Sequence, residues 1–308
     1  MLKNKKIVIT GGAGFIGSNL ARSLFLENEV VIIDNLLTGR YENISDIAAH
    51  IRFVRNDIND LDLLKKEFEC ADYILHQAAL ASVPGSVDDP ISANRSNVDG
   101  TLRVLIAARD CEAKRVIFAS SSAIYGDASE MPLRETTPPK PLSPYAVTKL
   151  AGEHYCRVFY EVYGLETVSL RYFNVFGPGQ DPTSGYAAVI PKFIKAAKSG
   201  KPPIVYGDGE QTRDFVFVGD VVKANILACE APHAAGKAFN ISAGKGISLN
   251  QLLDIMSIAT SCRINAIYAD PRPGDIKHSV ADISMAKDIL GYEPTVGIME
   301  GLREIHKL

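Results

Sequence analysis

The amino-acid sequence predicts an α/β protein with a Rossmann-type, doubly wound parallel sheet and a smaller, discontinuous C-terminal lobe. Short β-branched runs alternate with helical patterns as far as Arg171, and a glycine-rich turn joins the first strand to the first helix. Beyond Arg171 the turns are longer and rich in proline and glycine. We therefore expect a large domain of residues 1–171 plus about 214–242, and a second lobe of about 172–213 plus 243–308.

The composition is that of a globular protein, with 308 residues of which 46% are hydrophobic and 22% charged. The net charge of −3 argues against a nucleic-acid surface, which is normally basic. The N-terminal apolar run, residues 7–9, is too short for a signal peptide, and no run of about 18 apolar residues predicts a membrane span. Five scattered cysteines without C-x-x-C spacing indicate reduced thiols in a cytoplasmic protein. No residue spacing is typical of a metal site.

The first strand and its turn carry a dinucleotide-binding pattern. The order is strand, glycine turn, helix, strand and acid, at residues 7–10, 11–17, 18–27, 30–33 and Asp34. Gly11, Gly14 and Gly17 let the backbone approach a pyrophosphate, and the helix N-terminus offers free N–H groups. The Asp34 carboxylate can accept hydrogen bonds from ribose hydroxyls and would repel a 2′-phosphate. The pattern therefore predicts NAD as cofactor rather than NADP.

The alternation of strands and helices continues along the chain. Further strands are predicted at 51–54, 73–76, 116–118 and 167–170, with helices at 61–68, 90–111 and 144–163. The segment 214–242 reads as a strand, a helix at 221–230 and a strand, and is expected to return to the large sheet. Ligands of such sheets bind beyond the carboxyl ends of the strands, where Asp57 and Ser121 lie. His76 also lies at a strand end and is expected to be packed.

Tyr145 and Lys149 are the candidate acid–base residues. Their i, i+4 spacing places both side chains on one face of the predicted helix. A nearby ammonium favours the phenolate and would lower the pKa of the tyrosine toward neutrality. Ser121, at the end of a buried strand, can hydrogen-bond a substrate oxygen. The spacing alone is typical of an exposed helix pair, but its place beside a dinucleotide-binding sheet favours catalysis.

With these residues, the chain resembles the extended short-chain dehydrogenase/reductases. Within them it is most similar to nucleotide-sugar 4-epimerases: UDP-glucose 4-epimerase and, nearer still, bacterial UDP-N-acetylglucosamine 4-epimerase. The resemblance covers nearly the whole chain and makes the second lobe the nucleotide-sugar-binding part. The motifs that carry it are G-G-A-G-F-I-G-S-N (11–19), D-N-L-L-T-G (34–39), H-Q-A-A-L (76–80), S-S-S-A-I-Y-G-D (120–127), S-P-Y-A-V-T-K (143–149), R-Y-F-N-V-F-G-P (171–178), Y-A-A-V-I-P-K-F (186–193), G-E-Q-T-R-D-F (209–215) and R-P-G-D-I-K-H-S (272–279).

The resemblance also implies which residues contact each ligand. For NAD they would be Gly11, Gly14, Phe15, Ile16, Gly17, Asp34, Asn35, Leu36, Leu37, Thr38, Gly39, Asp57, Ile58, Gln77, Ala78, Ala79, Leu80, Asn97, Tyr145, Lys149 and Phe173. For the sugar nucleotide they would be Ser82, Ser121, Ser122, Tyr145, Asn174, Gln180, Ala188, Val189, Arg213, Arg272, Asp275 and Ser279. Arg213 and Arg272 also suit a diphosphate on chemical grounds, because guanidinium groups pair well with phosphate oxygens.

The mechanism implied by the resemblance is a reversible oxidation at C4 of a UDP-sugar. Tyr145 takes the proton of the 4-hydroxyl while C4 gives hydride to NAD, and Ser121 hydrogen-bonds the same oxygen. Lys149 holds the nicotinamide ribose and, helped by the positive nicotinamide ring, lowers the pKa of Tyr145. The 4-keto sugar then turns over while its UDP stays anchored, and hydride returns to the opposite face. NAD would be regenerated in each turnover and remain tightly bound. The helices at 90–111 and 144–163 resemble those that pair in family homodimers.

Substrate choice depends on Ser279 in this comparison. A bulky tyrosine at that position accompanies restriction to non-acetylated sugars, so Ser279 favours a pocket that admits UDP-GlcNAc and UDP-GalNAc, with UDP-Glc and UDP-Gal as further substrates. Ala81, where UDP-glucose enzymes often carry lysine, weakens a straight UDP-galactose assignment. An epimerase restricted to non-acetylated sugars remains an alternative.

Two alternatives differ from epimerisation in chemistry. One is elimination of a group from the sugar, and the other is binding of the cofactor without catalysis. UDP-glucuronate decarboxylases and nucleotide-sugar dehydratases need acidic residues for elimination, and no carboxylate follows Ser121 before Asp127. A non-catalytic NAD-binding regulator would usually lack the tyrosine or the lysine, and this chain keeps Tyr145 and Lys149.

Overall fold

A computed structural model describes residues 2–181, 189–260, 264–271 and 276–306. Its largest element is a sheet of seven strands, all paired in parallel. The strands are β1 (Lys6–Thr10), β2 (Glu29–Asp34), β3 (Arg52–Arg55), β4 (Tyr73–His76), β5 (Arg115–Ser121), β6 (Glu166–Tyr172) and β10 (Lys237–Ile241). Their spatial order is β3-β2-β1-β4-β5-β6-β10. This order is that of a Rossmann sheet, and it confirms the predicted fold class.

The order of strands reverses between β1 and β4, which opens a crevice at their carboxyl ends. The turn after β1 begins with Gly11 and the loop after β4 begins with Gln77, so both chain segments enter this crevice. The central strands β1, β4 and β5 are almost wholly buried because both faces of the sheet are covered. The crevice is therefore the place where polar residues of this sheet gather.

Helices cover both faces of the large sheet. Its two apolar layers contain Ile9 and Leu20 on one side, and Val8 and Phe118 on the other. The helices of the chain are α1 (Phe15–Leu24), α2 (Leu61–Phe68), α3 (Val83–Asp88), α4 (Pro90–Asn94), α5 (Gly100–Asp110), α6 (Pro144–Tyr163), α7 (Val189–Lys198), α8 (Val218–Glu230), α9 (Leu249–Thr260) and α10 (Ile298–His306). The predicted helix at 90–111 is divided by a wider turn, Arg95–Asp99, between α4 and α5.

A second, smaller sheet is built around β9 (Thr212–Phe217), with β11 (Gly246–Ser248) antiparallel on one edge. β9 also pairs in parallel with β13 (His278–Ser279) through its first residues and with β7 (Asn174–Phe176) through its last ones. A separate parallel pair is formed by β8 (Ile204–Tyr206) and β12 (Ile267–Ala269). Residues on one face of the β9 sheet pack with α7, α9 and α10 in a third apolar cluster.

The course of segment 214–242 differs in part from the prediction. Its helix, α8, packs on the large sheet and its last strand, β10, joins that sheet beside β6, as expected. The strand predicted at about residue 214 is wrong as a member of the large sheet, because β9 pairs only within the small sheet. Phe215 and Phe217 point into the third apolar cluster, and their burial there stabilises β9 in the small sheet instead of the large one. The division of the chain into two domains stays a prediction.

Candidate active site

The crevice beyond the carboxyl ends of β1, β2, β4 and β5 forms one continuous cleft. Most residues predicted to contact NAD line it: Gly11, Gly14, Phe15, Ile16, Gly17, Asp34, Asn35, Leu37, Thr38, Gly39, Asp57, Ile58, Gln77, Ala78, Ala79, Leu80, Tyr145 and Lys149. The sequence analysis missed Ile33, Asn56, Ala81, Ser96, Ala119, Ser120 and Tyr172, which also line it. Most of these seven are direct neighbours of predicted residues, so their position next to a strand end was the available signal.

The glycine turn is shaped so that no side chain fits inside it. Gly11 has φ +70°, and a Cβ there would lie 2.6 Å from the amide nitrogen of Ala78. A Cβ on Gly17 would lie 2.2 Å from the carbonyl oxygen of Gly11. The bare backbone therefore forms a cradle at the first turn of α1, where free N–H groups and the helix dipole attract phosphate oxygens. These residues fit the pyrophosphate of a dinucleotide.

The end of β2 provides an acceptor for ribose hydroxyls. The Asp34 carboxylate is buried and accepts hydrogen bonds from the backbone N–H of Ala13 (2.9 Å) and of Leu36 (2.8 Å). Burial raises the pKa of Asp34, and these two hydrogen bonds oppose that rise. A Cβ on Gly39 would lie 2.8 Å from the same carboxylate. The carboxylate is thus fixed at the wall of the cleft, a setting that fits NAD.

Tyr145 and Lys149 lie on the first two turns of α6. Ser143 caps this helix through a hydrogen bond from the Ala146 N–H (3.2 Å), and the Tyr145 N–H donates to Ser86 Oγ (2.9 Å). The Lys149 ammonium donates to the Ala119 carbonyl (2.7 Å) and lies 5.9 Å from the centre of the Tyr145 ring. The structure therefore brings the predicted pair together on the wall of the cleft, as the i, i+4 spacing indicates.

The pKa of Tyr145 departs from the prediction in direction. Burial raises the pKa of Tyr145, and the nearby Ser121 hydroxyl lowers it only in part. Burial also lowers the pKa of Lys149 to about 8, so the ammonium itself is weakened. In the protein without its cofactor, the ammonium of Lys149 therefore does not bring the pKa of Tyr145 below its ordinary value. A further positive charge within the cleft would favour the phenolate.

Three residues predicted to contact NAD do not line the cleft, and their contact with the cofactor stays a prediction. Leu36 binds Asp34 through its backbone N–H, and Phe173 is buried beside the cleft residue Tyr172. Asn97 is buried, and its side-chain amide is hydrogen-bonded within the protein. It accepts from the Leu80 N–H (2.8 Å) and donates to the Leu80 carbonyl (3.2 Å). Asn97 therefore holds the loop after β4 in place.

His76 is packed at the end of β4, as predicted, and its hydrogen bonds define its tautomer. Thr101 Oγ1 donates to the Asn97 carbonyl (2.6 Å), so it can only accept from His76 Nε2 (2.9 Å). His76 Nδ1 then accepts from Thr10 Oγ1 (2.7 Å). Burial, helped by the charge of Lys149, lowers the pKa of His76 to about 3. The ring is therefore neutral and links β1, β4 and α5.

We expect His76→Gln to remove a pH dependence of stability. Between pH 6.5 and pH 3 the unfolded chain binds a proton at His76 that the folded protein does not, so unfolding becomes easier as pH falls. From pH 7.5 to 5.5 this linkage costs the wild type about 1.4 kcal/mol, and the variant should lack that loss. Urea unfolding at both pH values measures it. Variant His154→Gln, at an exposed position of α6, should keep the wild-type dependence.

Three residues predicted to contact the sugar nucleotide share one face of the small sheet. Ser279 pairs with Arg213, and Asn174 pairs with Phe215, two residues farther along β9. Directly paired residues and residues two apart point to the same side of a sheet. Asn174, Arg213 and Ser279 therefore point to the same face of this sheet as Phe215, and Ser279 is buried.

The other predicted substrate residues are more dispersed. Ser82 caps α3 by accepting from the Gly85 N–H (2.9 Å), and Ser122 follows Ser121 in a short turn, Ser122–Tyr125. Gln180 donates to the Val175 carbonyl (3.2 Å), and its carbonyl oxygen is buried without a hydrogen bond among the described residues. Val189 is the first residue of α7. Ala188, Arg272 and Asp275 lie outside the described residues.

Metal ligation and membrane spanning have no counterpart among the described residues. No group of three or more His, Cys, Asp and Glu side chains within them could hold a metal ion. Within those same ranges, no helix is long and apolar enough to cross a membrane. Cys70, Cys111, Cys156 and Cys229 are free thiols, and Cys262 lies outside the described part of the chain.

Comparisons with known proteins agree with this geometry. The family described as "NAD dependent epimerase/dehydratase family" matches residues 7–242. A UDP-glucose 4-epimerase of Mycolicibacterium smegmatis is 38% identical over 303 residues, covering 96% of each chain. The structure of a UDP-N-acetylglucosamine 4-epimerase from Methanobrevibacter ruminantium, in complex with UDP-N-acetylmuramic acid, has a TM-score of 0.96 at 47% identity, covering 99% of this chain and 98% of the other. A UDP-glucuronic acid 4-epimerase from Bacillus cereus, bound to UDP-glucuronic acid and NAD, has a TM-score of 0.90 at 32% identity, with 98% of both chains covered.

Proposed function

This chain belongs to the NAD dependent epimerase/dehydratase family, and from that premise we propose that it inverts C4 of UDP-N-acetylglucosamine and UDP-N-acetylgalactosamine, and also of UDP-glucose and UDP-galactose. It is an NAD-dependent UDP-sugar 4-epimerase at the level that its relatives share. The observation that carries the proposal is the position of Tyr145 and Lys149 on the wall of the dinucleotide cleft, with the Ser121 hydroxyl near Tyr145.

NAD, held by the glycine cradle and Asp34, would supply reversible oxidation of the sugar at C4. Tyr145 takes the proton of the 4-hydroxyl and returns it after the sugar has turned over. Ser121 hydrogen-bonds the same oxygen, which keeps that proton transfer short. Lys149 adds positive charge beside the phenolate, and the positive nicotinamide ring of the bound cofactor would complete what the protein alone does not provide. Arg213 anchors the diphosphate while the sugar rotates.

The arrangement around Ser121 supports epimerisation over elimination. Ser122, Ala123 and Ile124 follow it in a tight turn, and the first carboxylate after them is Asp127. Dehydration or decarboxylation needs an additional proton carrier near the sugar, and this turn offers none. Formation of a 4-keto-6-deoxy sugar or of carbon dioxide from a UDP-sugar would contradict the proposal.

The preference for acetylated sugars is supported by the small side chain of Ser279, which lies beside Arg213. We expect Ser279→Tyr to lower kcat/KM for UDP-GlcNAc by about 100-fold, because a ring there occupies the space of the 2-acetamido group during turnover. Activity on UDP-Glc should change little. Ser279→Ala, which keeps a small side chain, is the matched control and should retain both activities. An equal loss with both sugars in Ser279→Tyr would contradict this role.

The proposal is tested by incubating the purified protein separately with UDP-GlcNAc, UDP-Glc and UDP-glucuronic acid, and separating the products. We expect UDP-GalNAc and UDP-Gal from the first two. Conversion of UDP-Glc alone would favour an enzyme restricted to non-acetylated sugars. No conversion of any UDP-sugar, with NAD bound, would favour a non-catalytic NAD-binding regulator.

Two further properties stay predictions. One is cytoplasmic location. The other is a homodimer through the helical face that carries the exposed side chains Ile91 of α4, and Val147 and Val158 of α6. Sedimentation at micromolar concentration should give twice the mass of the chain, 33.4 kDa, and the Ile91→Glu variant should sediment as a monomer. A wild-type monomer would contradict the dimer.

A further inference from the structure

Behind the cleft, a buried carboxylate joins the catalytic helix to the end of β5. Glu153 lies two helical turns beyond Tyr145 on α6 and is buried. Its Oε1 accepts hydrogen bonds from Ser120 Oγ (2.5 Å) and from Arg171 Nε (2.9 Å). Its Oε2 accepts from Arg171 Nη2 (2.7 Å). The register of β5 and β6 places Ser120 directly beside Arg171, so both donors reach the same carboxylate.

The free edge of the Arg171 guanidinium continues the network toward the turn after β5. Its Nη1 donates to Tyr125 Oη (2.7 Å) and to the Glu135 carbonyl (3.1 Å). Tyr125 in turn donates to the side-chain carbonyl of Asn240 (2.7 Å), and the Asn240 N–H donates to the Glu135 carboxylate (2.8 Å). Every member of this buried network has a partner, a condition under which such networks are rigid.

The network holds the chain on both sides of Ser121. Ser120, the residue before it, is fixed by Glu153, and Tyr125, at the end of the following turn, is fixed by Arg171. A shift of the Ser121 hydroxyl away from Tyr145 would have to strain one of these hydrogen bonds. Breaking the Glu153–Arg171 ion pair would leave a buried charge without its partner, which is costly.

We propose that Glu153 and Arg171 are positioning residues of the epimerase, which fix the catalytic Ser121 hydroxyl opposite Tyr145 through Ser120 and Tyr125. The inference rests on the proposed function, since Ser121 matters only if it acts on a sugar oxygen. Neither charged residue touches the reacting atoms. They contribute by fixing the geometry of the proton transfer. The rate of that transfer falls steeply when the reacting groups are displaced by as little as 1 Å.

The test removes single hydroxyl groups, so that the buried ion pair itself stays intact. Ser120→Ala and Tyr125→Phe are prepared in the wild-type chain and again in Ser121→Ala. In the wild-type chain, we expect each to lower kcat by roughly 10-fold to 100-fold, with KM for the UDP-sugar within about twofold. In Ser121→Ala, we expect neither to lower kcat further, because the group that they position is gone.

Two outcomes would overturn the inference. One is an equal loss of kcat in both backgrounds, which would mean that Ser120 and Tyr125 act independently of Ser121. The other is no loss in either background. Thermal melting and bound-NAD content, measured on every variant, show whether each protein is folded and loaded. Wild-type turnover is measured first, so that failure of the epimerase assignment is seen separately.

Discussion

Tyr145→Phe is expected to lower kcat for UDP-sugar epimerisation by about 10³- to 10⁴-fold, because we propose that the phenol oxygen takes the proton of the 4-hydroxyl. The ring stays in place, since its burial and the hydrogen bond from the Tyr145 N–H to Ser86 do not depend on the phenol oxygen. NAD should therefore remain bound. Product separation after long incubation measures the residual rate, and release of NAD on denaturation measures cofactor content.

The matched control is Tyr163→Phe at the last turn of the same helix, where the ring is exposed. It loses the same oxygen atom at a distance from the cleft and should keep wild-type kcat. A Tyr145→Phe variant with more than about a tenth of wild-type kcat would show that another group, such as Ser121, takes the proton.

Gly17→Ala is expected to yield a protein without bound NAD. The added Cβ would lie 2.2 Å from the Gly11 carbonyl oxygen and 2.7 Å from Gly12 Cα, so the turn must open. Both neighbours are backbone atoms, which cannot rotate away. We expect loss of the cofactor and of epimerase activity together, with a fall in unfolding free energy of about 1–3 kcal/mol from overpacking. Absorbance of the purified protein and thermal melting measure the two effects.

Gly297→Ala provides the control for this substitution. A Cβ on Gly297 meets no atom within 4 Å, so the same chemical change is made in open space. This variant should keep its NAD, its melting temperature and its activity. A Gly17→Ala protein that still copurifies with one NAD per chain would exclude the glycine turn as the pyrophosphate site.

The parts of the fold that depend on neighbouring residues could be predicted from the sequence. The bounds of α6 agree with the prediction because Ser143, Pro144 and Gly164 mark its two ends, the last with φ +71°. The glycine turn and the strands beside it follow from local periodicity in the same way. Their assembly at the carboxyl ends of parallel strands required only the general rule for such sheets.

Features that depend on contacts between residues far apart in the chain could not be predicted from the sequence. The neighbours of β9 come from before and after it in the chain, and no local pattern assigns β9 to the small sheet. The pKa of Tyr145 rises because the folded protein buries its ring, a property that a spacing of four residues does not contain. The roles of Glu153 and Arg171 could not be predicted either, because their partners Ser120 and Tyr125 contact them only in the folded protein.

The order in which the site is encoded has a consequence for its assembly during translation. The lining of the dinucleotide cleft spans Gly11 to Tyr172, whereas the sheet that carries Arg213 is completed only by Ser279, near the end of the chain. Domains generally fold as units during synthesis, with N-terminal parts first. The residues that line the cleft, and then β10, which completes their sheet, therefore all leave the ribosome before Ser279, the residue that we propose selects the sugar.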